Sequence, residues 1–252
     1  MNIITETKGK CKEISQRTAN FCKSFGLYKL LARYGAKKAR GIAFEGIFEF
    51  LMTLVFTGRN FYNAETQYCK DAVYRFLNNA KIHWEKILNM LAVSVIARIR
   101  ALTSEERLTA IVVDDSPYSR NRSKKVELLS KIHGHVTNKF FMGFRMLTLG
   151  FTDGNTFIPF ASQLMASAKA ENTAATGDGR TLAARRRKNA VKEMPQRLYE
   201  LLKSARTIRI PAKHVLFDSW FSNPVTMMTI RPSVFSAFPC SRKTGRNEYG
   251  GI

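Results

Sequence analysis

The hydrophobic positions of the first hundred residues recur at helical spacing. Ile42, Phe44, Ile47, Phe48, Leu51, Leu54 and Val55 mark one amphipathic face, and Thr57-Gly58 closes it as a C-cap does. A second helix is expected from about Ala64 to Asn78, with Tyr68, Ala72, Phe76 and Leu77 apolar and Asn78-Asn79 as the breaker. A third runs from about Trp84 to Leu102 on Ile87, Leu88, Leu91, Val95, Ile96 and Ile99. Near Thr109 the pattern changes. Ala110-Ile111-Val112-Val113 is a short apolar run that ends in Asp114-Asp115, which reads as a buried strand delivering carboxylates at its end. Phe144 to Gly150 is a second strand, Thr152-Asp153-Gly154-Asn155 a turn, and Thr156 to Phe160 the returning strand of a hairpin. Thr173 to Asp178 reads as a loop and Leu182 to Ala205 as one long helix. Lys213 to Phe217 is another short strand, and it too ends on an acid, Asp218. Ser222-Asn223-Pro224 is a helix start.

This order divides the chain into a helical part, 1–105, and an α/β part, 106–252. Charge then narrows the function. Lys plus Arg number 41 against 19 Asp plus Glu, a net charge of +22 over 252 residues. So large an excess opposes compaction unless a polyanion shares the surface, so nucleic acid is the expected partner. Hydrophobic residues at 45% exclude a disordered chain. The apolar stretch Phe50 to Phe56 is far short of the roughly 20 residues that span a bilayer. The start of the chain is polar and lacks an apolar signal region. Cys11, Cys22, Cys69 and Cys240 form no CxxC pair. A cytoplasmic protein with reduced thiols, nucleoid-associated when DNA-bound and with no membrane contact, is the expectation.

Two carboxylates at strand ends suit Mg2+ or Mn2+, hard ions that take oxygen ligands. A pair of such ions activates the attacking oxygen and stabilises the leaving one in phosphoryl transfer. An Asp after a strand is also a common helix N-cap or turn former, which for Asp218 is as good a reading. For Asp114-Asp115 it is weaker, because adjacent like charges need a cation or other partner. Arg120, Arg122, Lys124 and Lys125 follow closely and suit either that role or DNA phosphates. The run Arg185-Arg186-Arg187-Lys188 is a second candidate DNA contact, against the plain alternative of a solvated helix face. His133 and His135 form an HxH pair without a supporting cysteine, and Tyr118 reads as a loop residue. Lys70, Tyr74, Arg75 and Lys81 mark the surface of a helix-turn-helix-like reader, if the helices do more than support the core.

Several stretches carry a family resemblance. Ile111 to Tyr118, followed by Asn121 to Leu129, resembles the first catalytic block of bacterial insertion-sequence transposases with an Asp-Asp-Glu centre. Lys139 to Phe157 is similar to the hairpin that follows it, Val215 to Ser222 to the second catalytic block, and Asp71 to Trp84 to the helical region upstream. The order and spacing of these blocks, from about residue 40 to 230, point to the branch named insertion sequence four. The resemblance implies a ribonuclease H-like mixed sheet in which the two acid-ended strands lie side by side. It also implies cleavage and strand transfer at element ends, Mg2+ or Mn2+, double-stranded DNA at inverted repeats, and compatibility with a homodimer. Asp114 matches the first aspartate, with Asp115 as a neighbour that could replace it as metal ligand, and Asp218 matches the second.

The family's third acid is a glutamate in a Tyr-Arg-Glu-Lys series beyond an inserted, mainly β region. After Ile230, where the family pattern has another apolar strand, the chain reads Arg231-Pro232-Ser233-Val234-Phe235-Ser236-Ala237-Phe238-Pro239, and Glu248 is its only later acid. The resemblance therefore implies a truncated or frameshifted member with an incomplete core, inactive as it stands. The alternatives are a non-catalytic DNA-binding remnant and, more distantly, a basic RNA-binding structural protein.

Overall fold

The computed structural model describes residues 3–37, 41–62, 64, 66–104, 106–134, 138–167, 178–218, 228 and 236–240. The expected loop over 173–177, the helix start at Ser222-Asn223-Pro224, and His135 lie outside the described residues. The chain forms two compact units, one of residues 1–95 with 178–183, the other of 96–177 with 184–252.

The first unit is helical. It holds α1 (Ile3–Ser24), α2 (Leu27–Arg33), α3 (Phe44–Thr57), α4 (Lys70–Leu77) and most of α5 (Trp84–Ala101). Its core gathers Leu27, Leu31, Phe44, Ile47, Val73, Phe76, Ile82 and Ile87. Gly58 ends α3 in the left-handed region, at φ 63, as its place after the apolar stripe requires. The helix expected from Ala64 begins six residues later, at Lys70. The Thr66 hydroxyl accepts the Tyr68 N–H at 3.0 Å, and that local turn competes with helix.

The second unit is a mixed α/β sheet with helices, the ribonuclease H-like arrangement. Its strands are β1 (Ala110–Ser119), β2 (Ser130–Gly134), β3 (Lys139–Thr152), β4 (Phe157–Met165), β5 (His214–Asp218) and β6 (Ser236–Cys240). The order is β2-β3-β1-β5-β6, with β4 also on β3. Gly143 of β3 pairs with Ser119 on one side and Ser130 on the other, so β2 and β4 share the edge of β3 away from β1. β1 is antiparallel to β3 and parallel to β5. It continues to Ser119 because β3 pairs with it along its whole length, so Tyr118 is a strand residue rather than a loop one.

Three further expectations change. Leu182 to Ala205 is not one helix but two, α6 (Leu182–Ala190) and α7 (Met194–Thr207). Pro195 sits in the first turn of α7, where its missing N–H costs nothing; inside a continuous helix it would remove a bond and clash. β2 lies in a segment with no strand expected, and it forms on the exposed edge of β3. The stretch after Ile230, read as a departure from the strand pattern, contains β6. It extends the sheet in parallel from His214↔Ser236 to Asp218↔Cys240. Pro239 is tolerated because β6 is an edge strand in the described sheet.

Candidate active site

Asp114 and Asp218 are brought together by strand register. The parallel ladder between β1 and β5 runs Ile111↔Val215, Val112↔Leu216, Val113↔Phe217. The next residue on each strand is an aspartate. Side chains alternate along a strand, and in-register neighbours on parallel strands share a face. Ile111, Val113, Val215 and Phe217 are buried on one face, so Asp114 and Asp218 project from the other, and both are exposed. The apolar residues, by choosing their face, place the acids on the opposite one.

Around Asp114 the surroundings are polar. The Ser116 hydroxyl, two residues along the same face, donates to the Asp114 carboxylate. Thr148 faces Asp114 across the antiparallel ladder with β3. Thr148 does not stand out in the sequence, because its place depends on register with a distant strand, whereas Ser116 acts locally from two residues along β1. Two carboxylates and two hydroxyl-bearing residues form a hard oxygen donor set, which fits Mg2+ or Mn2+ better than a soft metal. Among the described residues, no group of three or more His, Cys, Asp or Glu side chains gathers at a point.

Asp115 has a different environment. One step along β1 it turns to the buried face, and its side chain is only 5% exposed. There it pairs with Arg145 of β3 at 3.0 Å. Arg145 is opposite Pro117, so this is a diagonal cross-strand contact on one face. Burial pushes the Asp115 carboxyl up to about 6; Arg145 pulls it down and Asp114 adds to the rise. The structure thus separates two neighbouring acids onto two faces, and the second has its own cation.

That cation is Arg145, not the basic group 120–125. Arg120 is six residues beyond Asp114 on an extended strand, about 20 Å away at roughly 3.3 Å per residue. Arg120, Arg122, Lys124 and Lys125 occupy the exposed turn after β1, tied to β3 by the Arg120 N–H to the Met142 carbonyl at 2.7 Å. The second basic run lies near that turn. Arg187 of α6 forms a two-pronged pair with Glu127, which holds its guanidinium pKa up. Arg185 and Lys188 are exposed, while Arg186 and Arg187 are half-buried. Runs separated by some sixty residues in sequence are therefore neighbours in space. His133 is hydrogen-bonded to Asn138 at 3.0 Å and its ring meets that of Phe140 at a tilt of 55°.

The model of the DDE superfamily endonuclease family matches residues 62–231, a span that includes β1, the hairpin, β5 and both aspartates. The chain belongs to this family. Its members are nucleases that act on DNA and generally use divalent metals. No curated protein matches the chain. Among the described residues, no helix is long and apolar enough to cross a membrane.

Proposed function

We propose that this member of the family is a transposase of insertion-sequence elements, of the insertion sequence four branch, acting at inverted-repeat ends. The observation that carries this reading is the in-register parallel pairing of β1 with β5, which sets Asp114 and Asp218 side by side on the open face of the sheet. In this reading both aspartates hold Mg2+ or Mn2+. The metal supplies activation of a water or 3′-hydroxyl and stabilisation of the leaving oxygen. Ser116 donates to one oxygen of the Asp114 carboxylate and restrains it. Asp115 serves as a structural carboxylate inside the sheet rather than as a ligand, because its charge is spent on Arg145.

DNA is held by the basic surface. The turn carrying Arg120, Arg122, Lys124 and Lys125 and the helix carrying Arg185 and Lys188 present it, joined through the Arg187–Glu127 pair. Arg186 and Arg187 support that surface from below. The chain acts as a homodimer on its two ends, in the nucleoid-bound cytoplasm, and residues 1–105 serve as the DNA-reading part.

The third carboxylate is the open element. The described residues bring two acids to this point and no third. The second reading is a DNA-binding remnant, in which the paired acids take up divalent metal without cutting DNA. Both readings are tested by Mn2+ binding, followed by electron paramagnetic resonance, together with nicking of end-containing duplex. Weak Mn2+ binding that disappears in Asp114→Asn and in Asp218→Asn supports the paired site. Mn2+ binding or nicking that survives both substitutions overturns it. Metal binding without nicking selects the remnant.

A further inference from the structure

A second charged site lies at the other end of the same two strands. Residues 109 and 213, which precede β1 and β5, are stitched by the Lys213 N–H to the Thr109 carbonyl at 3.1 Å. Beside this junction is a cavity of about 270 Å3. Arg100, Arg107 and Lys213 supply its positive charge, and Thr103 and Ser104 supply hydroxyls. From the start of β1 to Asp114 is about 13 Å at roughly 3.3 Å per residue, so this is not the aspartate site.

The charges in this cavity do not cancel. Asp153 is the single carboxylate among the lining residues, and its side chain is 3% exposed. One of its oxygens accepts the N–H groups of Asn155 and Thr156 at 3.1 and 2.8 Å, and the other pairs with Arg107 at 2.9 Å. Its negative charge is thus used by the hairpin turn and by one arginine. That arginine's guanidinium is held by its pair with the buried Asp153 carboxylate. Arg100, in the last turn of α5, and Lys213 are exposed, and among the described residues no carboxylate pairs with either. The result is a recess with one fixed guanidinium, two cations without carboxylate partners and two hydroxyls. This combination suits a tetrahedral oxyanion carrying more than one negative charge.

We propose that this cavity is a phosphate-binding site, in which Arg100 and Lys213 neutralise the anion, the fixed Arg107 orients it, and Thr103 and Ser104 complete its hydrogen bonds. The phosphate is either a free small anion or a backbone phosphate of bound DNA; only the second source rests on the function proposed above. Titration of the whole chain with inorganic phosphate against chloride at matched ionic strength tests the first source. Salt dependence of binding to a labelled duplex tests the second.

The expected result is that the double variant Arg100→Gln, Lys213→Gln loses phosphate affinity by at least tenfold, or lowers the log–log salt slope for duplex binding by about 2, as removal of two phosphate contacts requires. Loss of phosphate affinity alone identifies a small-anion site, and a reduced slope identifies a DNA contact. Arg100→Lys with Lys213→Arg, which keeps both positive charges, is expected to retain binding and guards against misfolding as the cause. The inference is overturned if phosphate affinity and salt slope in the double variant match those of Lys203→Gln, an exposed lysine elsewhere. Mn2+ binding by the Arg100→Gln, Lys213→Gln variant is expected to match that of the wild-type chain, so failure of the metal site and failure of this one are told apart.

Discussion

Val113 lies opposite Phe217 in the parallel ladder between β1 and β5, and each is followed by an aspartate. Both of these apolar residues are nearly inaccessible, at 3% and 1% exposure. Their burial fixes the strand faces and therefore the direction of the acids. Two like charges held on neighbouring strands repel until a cation joins them. Added Mg2+ is therefore expected to raise the melting temperature of the wild-type chain by mass action. Asp114→Asn is expected to melt slightly higher without metal and to lose the metal response. Thermal denaturation with and without Mg2+ at low salt checks this; an equal metal response in the variant counts against the pair.

The Asp115–Arg145 pair gives a pH-dependent prediction. The folded-state pKa of Asp115 is raised, to about 6, above its ordinary value. A raised value means that its protonated form is favoured by folding, so its contribution is fully present below about pH 4 and is lost as pH rises through about 6. Removing the arginine makes the buried charge worse. Arg145→Met is expected to destabilise by about 3 kcal/mol at pH 8, as breaking one side of a buried pair does. The loss is expected to shrink at pH 5, where Asp115 takes up its proton. Urea denaturation at the two pH values decides; a pH-independent loss would show that the ion pair is not the cause.

Asp153 carries the opposite sign. Two turn amides and Arg107 hold its pKa below the ordinary carboxylate range. A depressed folded-state value gives stability that is present above the unfolded pKa and lost as pH falls through the folded one. Asp153→Ala is expected to destabilise by about 2 kcal/mol at neutral pH, from loss of its buried hydrogen bonds. The gap to wild type should close in acid. Equal losses at pH 7 and pH 3 would argue against this origin.

Two glycines of β3 are expected to respond unequally to alanine. At Gly143 a Cβ would lie 2.1 Å from the Tyr118 carbonyl oxygen, which is backbone and paired in the sheet. At Gly150 it would meet the Phe157 ring at 2.2 Å, a side chain that is half exposed and can turn. Gly143→Ala is therefore expected to loosen β1 from β3, with faster amide exchange at Tyr118 and Ser119. Gly150→Ala is expected to cost less. Hydrogen exchange and denaturation of the two variants provide the comparison.

The parts of the fold set by local chemistry were legible in the sequence. Gly58 as a cap, the hairpin turn at Asp153-Gly154, and the apolar runs of β1 and β5 all appear where their residues require. What depends on distant pairing was not legible. β2 has no apolar signature of its own and exists because the edge of β3 is open to it. β6 likewise follows from the free edge of β5. The break between α6 and α7 has a local cause, Pro195 in the first turn of α7, and reading Leu182 to Ala205 as one helix overlooks it. At the site, the two aspartates stood out as strand ends. The cation paired with Asp115 did not, because Arg145 is thirty residues away and becomes a neighbour only through the β1–β3 register.

That register has a consequence for how errors would propagate. Asp114 and Asp115 are chemically alike and one step apart, so sliding β1 by a single residue would exchange them. Asp115 would then stand beside Asp218, while Asp114 and the polar side chains of its row would be driven into the interior. The misaligned sheet would look complete from outside, with an acid in the expected place, and would be ruined within. The close approach at Gly143 and the tight turn around Asp153 clamp the two ends of β3 against that slip. They guard the identity of the outward carboxylate from a distance, without touching it.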